Sequence, residues 1–285
     1  MIPLIWRVFL FIPPLGLSAY LAVPPLLDLL RASQRAEYYS HIVFVPLVSA
    51  YIFMRRRRRI FSPPSPPCVG GALISAIGLS FYAIVKPAVC ADLNDCASAA
   101  VFSGLLVAAG AFLLIFGWET FCRARFPILF LLFVAPIPTV LMEKIIHSLV
   151  AGSTAVTAIL FKSIGVPFFQ EGSIFDLPEF SLEVTKECSG IRSSLALFIV
   201  SILIGHMALR GFWKKALLAA VVFPITIFKN GVRIVVLYLL SIFVDMRIID
   251  GGFLHRSGGF VFFGIGLAIL AVAAWILKKL EANGP

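Results

Sequence analysis

Cys188, Arg233 and His255 stand at the mouths of three apolar runs in the last third of this chain. Cys188 belongs to the string Glu187-Cys188-Ser189-Gly190-Ile191-Arg192-Ser193, between a polar extended stretch and a long apolar segment. A thiol in the first turn of a helix faces unpaired N–H groups and the positive end of the helix dipole, and both favour the thiolate. Arg192 adds positive charge on the same face, and Thr185 is placed to cap the helix. Glu187 acts in the opposite sense. This pattern suits a nucleophile; a buried structural cysteine is the alternative. Arg233 lies well inside its apolar run with Lys229 and Asn230 one turn before it, and Asn230 and Arg233 share a face. The chemistry that fits is an oxyanion or carboxylate clamp, and the alternative is an arginine snorkelling to lipid headgroups. His255, between Gly251-Gly252 and Gly258-Gly259, has the chemistry of a base and then an acid for a cysteine nucleophile. His147 is the alternative histidine, whereas His206 falls at the wrong end of its run.

The elements that must position these groups are membrane helices. The chain of 285 residues is 60% hydrophobic and 13% charged, half the charge of a soluble domain, and apolar runs of bilayer-spanning length recur throughout. The net charge of +10 is concentrated at the ends of those runs, as the positive-inside rule distributes it, so a nucleic-acid partner is not expected. Five consecutive arginines at 55–59 mark a cytoplasmic loop in contact with anionic membrane lipids. Apolar runs fall at about 8–27, 41–54, 69–86, 98–118, 126–142, 189–209, 216–243 and 257–277. The expectation is an all-α polytopic membrane protein of about eight spans. Both termini are expected in the cytoplasm, and the first span is retained, not removed as a signal peptide. One integral-membrane domain over 1–285 is expected, without a separate soluble domain.

Two cysteines, Cys90 and Cys96, lie in an acidic loop that alternation places outside, where a disulfide is the expectation and two free thiols the alternative. Between Arg125 and Cys188 the basic ends allow one crossing or three; one is expected, at 126–142, with 143–163 lying at or dipping into the outer face. Phe180, Leu182 and Val184 alternate with polar residues, which predicts a small extracytoplasmic β-hairpin just before Cys188. Each of the last three helices then has a basic cytoplasmic end to measure from. At about 1.5 Å per residue, Cys188 is roughly 33 Å from Arg210, Arg233 roughly 27 Å from Lys215, and His255 roughly 34 Å from Lys278. Against a hydrocarbon core of about 30 Å, all three groups reach one level near the outer boundary.

With these motifs in hand, the chain resembles the exosortase/archaeosortase family. The resemblance rests on Glu187-Cys188-Ser189-Gly190-Ile191-Arg192-Ser193, on Asn230-Gly231-Val232-Arg233-Ile234, and on His255 ahead of a glycine-rich helix start. It extends to Gly165-Val166-Pro167 through Glu183-Val184 and is strongest from about 126 to 277. It implies a cysteine transpeptidase-like protein-sorting enzyme of the bacterial inner membrane, with the active site on the extracytoplasmic face. Its substrates would be exported proteins with a tripartite C-terminal signal: a short motif, often of the Pro-Glu-Pro type, a transmembrane helix and a basic tail. The new C-terminus would pass to an acceptor, lipid- or glycan-linked. The catalytic residues implied are Cys188, Arg233 and His255, supported by Arg192, Asn230 and Ser189. The extra C-terminal domain of some members is not expected, nor is a metal or other cofactor. Two rivals remain at this level: a cysteine protease using water, and a non-catalytic transporter or channel with Arg233 lining its pathway.

Overall fold

The structure, a computed structural model, describes residues 3–32, 39, 41–185, 190–243 and 253–282, with the backbone alone at 32, 86, 87, 89 and 253–260. Its contacts divide the chain into two compact units, Met1–Met142 and Glu143–Pro285. The first contains α1 (Leu4–Ala32), α2 (His41–Ile60), α3 (Gly70–Val89), α4 (Leu93–Phe116), α5 (Trp118–Phe130) and a 3-10 turn, Leu131–Val134. Then come α6 (Thr139–Ser163), whose first turn belongs to the first unit, β1 (Phe169–Glu171), β2 (Ile174–Asp176), β3 (Ser181–Glu183), α7 (Ile191–Ala208), α8 (Phe212–Phe243) and α9 (Phe253–Ala282). Among the described residues six helices are long and apolar enough to cross a membrane: α1, α4, α6, α7, α8 and most of α9. α3 offers a shorter apolar stretch, and the arginine-rich end of α2 lowers its apolarity. The architecture is all-α and polytopic, with one small sheet.

Buried polar groups define the two ends of the first unit. At one end Arg7, almost fully buried, donates to the Ser65 carbonyl at 2.7 Å. Arg123 there donates to the carbonyls of Ile60 and Pro63 at 3.1 and 2.8 Å. These cations satisfy loop carbonyls that helix hydrogen bonds leave open. At the other end buried Asn94 accepts from the Tyr39 hydroxyl and donates to the Ile137 carbonyl at 2.8 Å. The Pro136-Ile137-Pro138 step breaks the helical ladder; Asn94 satisfies the carbonyl this exposes, and Asp95 accepts from the Thr139 N–H at 2.7 Å. Residues 118–138 therefore run from the Arg7–Arg123 end to the Asn94 end of this unit, interrupted by the prolines. Cys90 and Cys96 form a disulfide beside Asn94.

The path of 143–163 differs from the sequence reading. These residues continue α6, a helix of 25 residues, about 37 Å long at the standard rise, and long and apolar enough to cross a membrane. α6 runs alongside α8 in the same direction, with Gly152 against Ile227 and Val156 against Gly231. Glu143, Lys144 and His147 look like an interruption in the sequence, yet they share one exposed face of the helix while Ile146, Leu149 and Ser153 are buried. Among the described residues α6 is one of the six helices long and apolar enough to cross a membrane.

Three antiparallel strands in the order β1-β2-β3 cap α6 and α8. Phe175, Leu177 and Val184 from the sheet region pack with Phe161 of α6 and Ile234, Val235 and Tyr238 of α8. The alternation read at 180–184 is thus a half-buried sheet face. Tyr238 donates to Glu179 at 2.8 Å, which ties the sheet's last loop to α8.

Close approach of α6 and α8 depends on Gly231, where a Cβ would come within 2.6 Å of Val156 Cγ1, the small-residue packing common between membrane helices. Gly231→Leu is expected to destabilise the detergent-solubilised protein by about 1–3 kcal/mol. Gly264→Leu, at a site with open space around it, should leave the melting temperature nearly unchanged. Equal melting temperatures for the two variants would contradict this packing.

Candidate active site

α7, α8 and α9 converge on one polar centre. Gly190 lies against Asn230, and Gly205 against Lys215, so α7 and α8 run antiparallel. At the far end the Glu281 carboxylate of α9 accepts from the backbone N–H groups of Arg210 (3.0 Å) and Gly211 (2.8 Å). This anchor sets a common origin for the three helices. Along them, at about 1.5 Å per residue, Gly190 lies about 30 Å from the anchor, Arg233 about 33 Å and the backbone of His255 about 39 Å. All three are at the same end of the unit, the end opposite Arg210, Lys214, Lys215, Lys278 and Lys279.

Cys188 and Ser189 lie outside the described residues, as does Glu187, and of His255 the backbone alone is described, in the first turn of α9. What is described is the turn that follows Cys188. α7 begins at Ile191, not at Cys188, so the cysteine precedes the helix by three residues and Thr185 is too far back to cap it. The N-cap is Gly190, held at φ +71°, the left-handed region that glycine enters without Cβ strain. Its carbonyl receives three donors: the Ser194 N–H at 2.9 Å, the Ser194 hydroxyl at 2.8 Å and the Ser193 hydroxyl at 2.9 Å. Arg192 is exposed on the first turn of α7.

Behind this turn, Lys229 of α8 donates to Ser193 Oγ at 2.5 Å and is only 4% exposed. Asn230, fully buried, donates through Nδ2 to Ser153 of α6 at 3.1 Å. Its Oδ1 has no hydrogen-bond partner among the described residues and faces the Gly190 turn. Arg233 is half-buried one turn beyond Lys229. The sequence brought Asn230 and Arg233 to one region but gave Lys229 and Ser193 no role. A lysine in the middle of an apolar helix is the signal that would have found the pair. Among the described residues no three His, Cys, Asp or Glu side chains cluster as a metal would require.

The Gly190 conformation is directly testable. Gly190→Ala is expected to cost about 1–2 kcal/mol, the left-handed penalty for an L-residue, and Gly190→Asn less, both read as a fall in melting temperature. A melting temperature unchanged in the alanine variant would contradict the left-handed turn.

A family profile described as transmembrane exosortase matches residues 33–272. No curated protein and no solved structure matches the chain. The matched range includes Cys188, the Asn230–Arg233 segment and His255. Exosortases are, in general, membrane protein-sorting transpeptidases that act on exported proteins carrying sorting signals. Matched by this profile over most of its length, the chain belongs to the transmembrane exosortase family.

Proposed function

We propose that this chain is a cysteine transpeptidase of the bacterial inner membrane that removes the C-terminal sorting signal of exported proteins. Family membership supports the class. The observation that supports the residue assignment is that the Gly190 turn, Arg233 and the first turn of α9 lie at one end of a three-helix unit, opposite its basic cluster. In this reading the Cys188 thiolate attacks a peptide carbonyl next to the signal motif, forming a C–S bond and an oxyanion. Arg233 stabilises the oxyanion. The C–N bond then breaks, and His255 gives its proton to the leaving amine, which departs on the substrate's transmembrane helix. His255 next takes a proton from the acceptor nucleophile, which attacks the thioester, and the thiolate is released. The acceptor is a lipid- or glycan-linked group, with water as the competing acceptor. The family match spans both compact units, so we treat residues 1–285 as one integral-membrane domain.

The same reading orients the second unit. Arg210, Lys214, Lys215, Lys278 and Lys279 lie at the end remote from the site, and the positive-inside rule puts that end in the cytoplasm. The Gly190 end, with the acid-rich sheet, is then extracytoplasmic, where exported substrates are met.

Two experiments test this proposal. Cys188→Ala should leave a tripartite-signal protein unprocessed in cells, a loss on the order of 10⁴-fold or more for a covalent nucleophile. Arg233→Ala should slow processing by about 10²–10³-fold. Full processing by the Cys188→Ala variant would remove the cysteine mechanism. For orientation, Glu171→Cys, exposed in β1, is introduced into a chain whose Cys68, Cys122 and Cys188 are replaced. It should react with a membrane-impermeant maleimide in spheroplasts. Labelling only after permeabilisation would put the site on the cytoplasmic face.

A further inference from the structure

A lysine 4% exposed in the middle of a 32-residue membrane helix is costly unless something in the protein needs it. Lys229 is not one of the three groups assigned to chemistry. Its ammonium donates to Ser193 Oγ (2.5 Å), and Ser193 donates in turn to the Gly190 carbonyl (2.9 Å). Its stem is enclosed on the far side by α9, where a Cβ at Gly266 would lie 3.5 Å from Lys229 Cδ and 2.9 Å from Leu197 Cδ1. Gly190 is the left-handed cap that ends the segment carrying Cys188. The neighbouring Asn230 Oδ1 faces the same turn without a partner among the described residues.

We propose that Lys229 is a positioning residue that acts through Ser193 on the Gly190 carbonyl, and so fixes the turn that presents Cys188. This rests on the nucleophile reading of Cys188 given above. The physical reason is polarisation along a hydrogen-bonded relay that starts from a buried ammonium. A charged donor on Ser193 Oγ makes that hydroxyl a stronger donor to the Gly190 carbonyl. A hydroxyl alone would hold the same carbonyl less tightly.

The test uses the full-length protein in native membranes with Cys68 and Cys122 replaced by serine, and iodoacetamide as the probe. The alkylation rate of Cys188 is followed by mass spectrometry well below the melting temperature. Lys229→Met and Ser193→Ala should each slow alkylation about ten-fold, the scale of losing one buried hydrogen-bond partner. The double variant should be no slower than the slower single, because both break one relay. Ser193→Thr, which keeps the hydroxyl, should restore most of the rate. If Lys229→Met does not accumulate, the milder Ser193→Ala and Ser193→Thr pair carries the comparison. Rates equal to the parent, or a double variant slowed by the product of the two singles, would overturn the relay while leaving Cys188 a nucleophile. A parent Cys188 that alkylates no faster than in denatured protein would instead overturn the nucleophile reading, and the positioning role with it. A purely structural Lys229 would lower the melting temperature and leave the alkylation rate in place.

Discussion

The second unit is built around a cation and an amide that its helices have to satisfy away from water. Lys229 and Asn230 are adjacent on α8 and nearly fully buried. One is met by Ser193 of α7 and enclosed by α9 at Gly266, and the other is met by Ser153 of α6. Leaving either group unpaired in hydrocarbon costs several kcal/mol. All four helices of the unit are therefore held in register at this one level. Apolar contacts alone would allow helices to slide, since lipid tails are as apolar as leucine; a pair of polar contacts at fixed positions does not.

That register is what gives the site its place. Arg233 follows Lys229 by one turn on the same helix, and Gly190 sits one turn before Ser194 on α7. The Glu281 carboxylate closes the opposite end onto the α7–α8 turn. The three helices are pinned at the Glu281 end and again where Lys229 meets Ser193 and packs against Gly266, and their polar mouths lie at the opposite end of the unit. The sheet contributes Phe175, Leu177 and Val184 to the cluster that covers α6 and α8. It shields the apolar ends of those helices next to the turn that follows Cys188.

The sequence was informative where physics acts locally. Apolar runs gave the membrane class and most helices, the alternation of Phe180, Leu182 and Val184 gave strand β3, and Pro136-Ile137-Pro138 gave the break before α6. It misled where a polar residue's meaning depends on its partner. Glu143, Lys144 and His147 read as an interruption because a linear scan does not show that they share an exposed face. The start of α7 was read at Cys188 because the apolar pattern runs up to it, while the left-handed Gly190 cap moves the start to Ile191. The Lys229–Ser193 pair was missed because the two residues are 36 apart in sequence and meet only through helix packing. The sequence did supply the three motifs themselves, and the family match confirms the resemblance they carry.

The central claim is that a thioester to Cys188 forms between a sorted protein and this chain, and hydroxylamine reports it most directly. Hydroxylamine cleaves a thioester to leave a hydroxamate on the released acyl group. A tripartite-signal protein is co-expressed with this chain, and its mature C-terminus is read by mass spectrometry with and without added hydroxylamine. A C-terminal hydroxamate that appears with the wild-type chain and is absent with Cys188→Ala is the expected result. A substrate cut to a free carboxylate, with no hydroxamate at any hydroxylamine concentration, would contradict it.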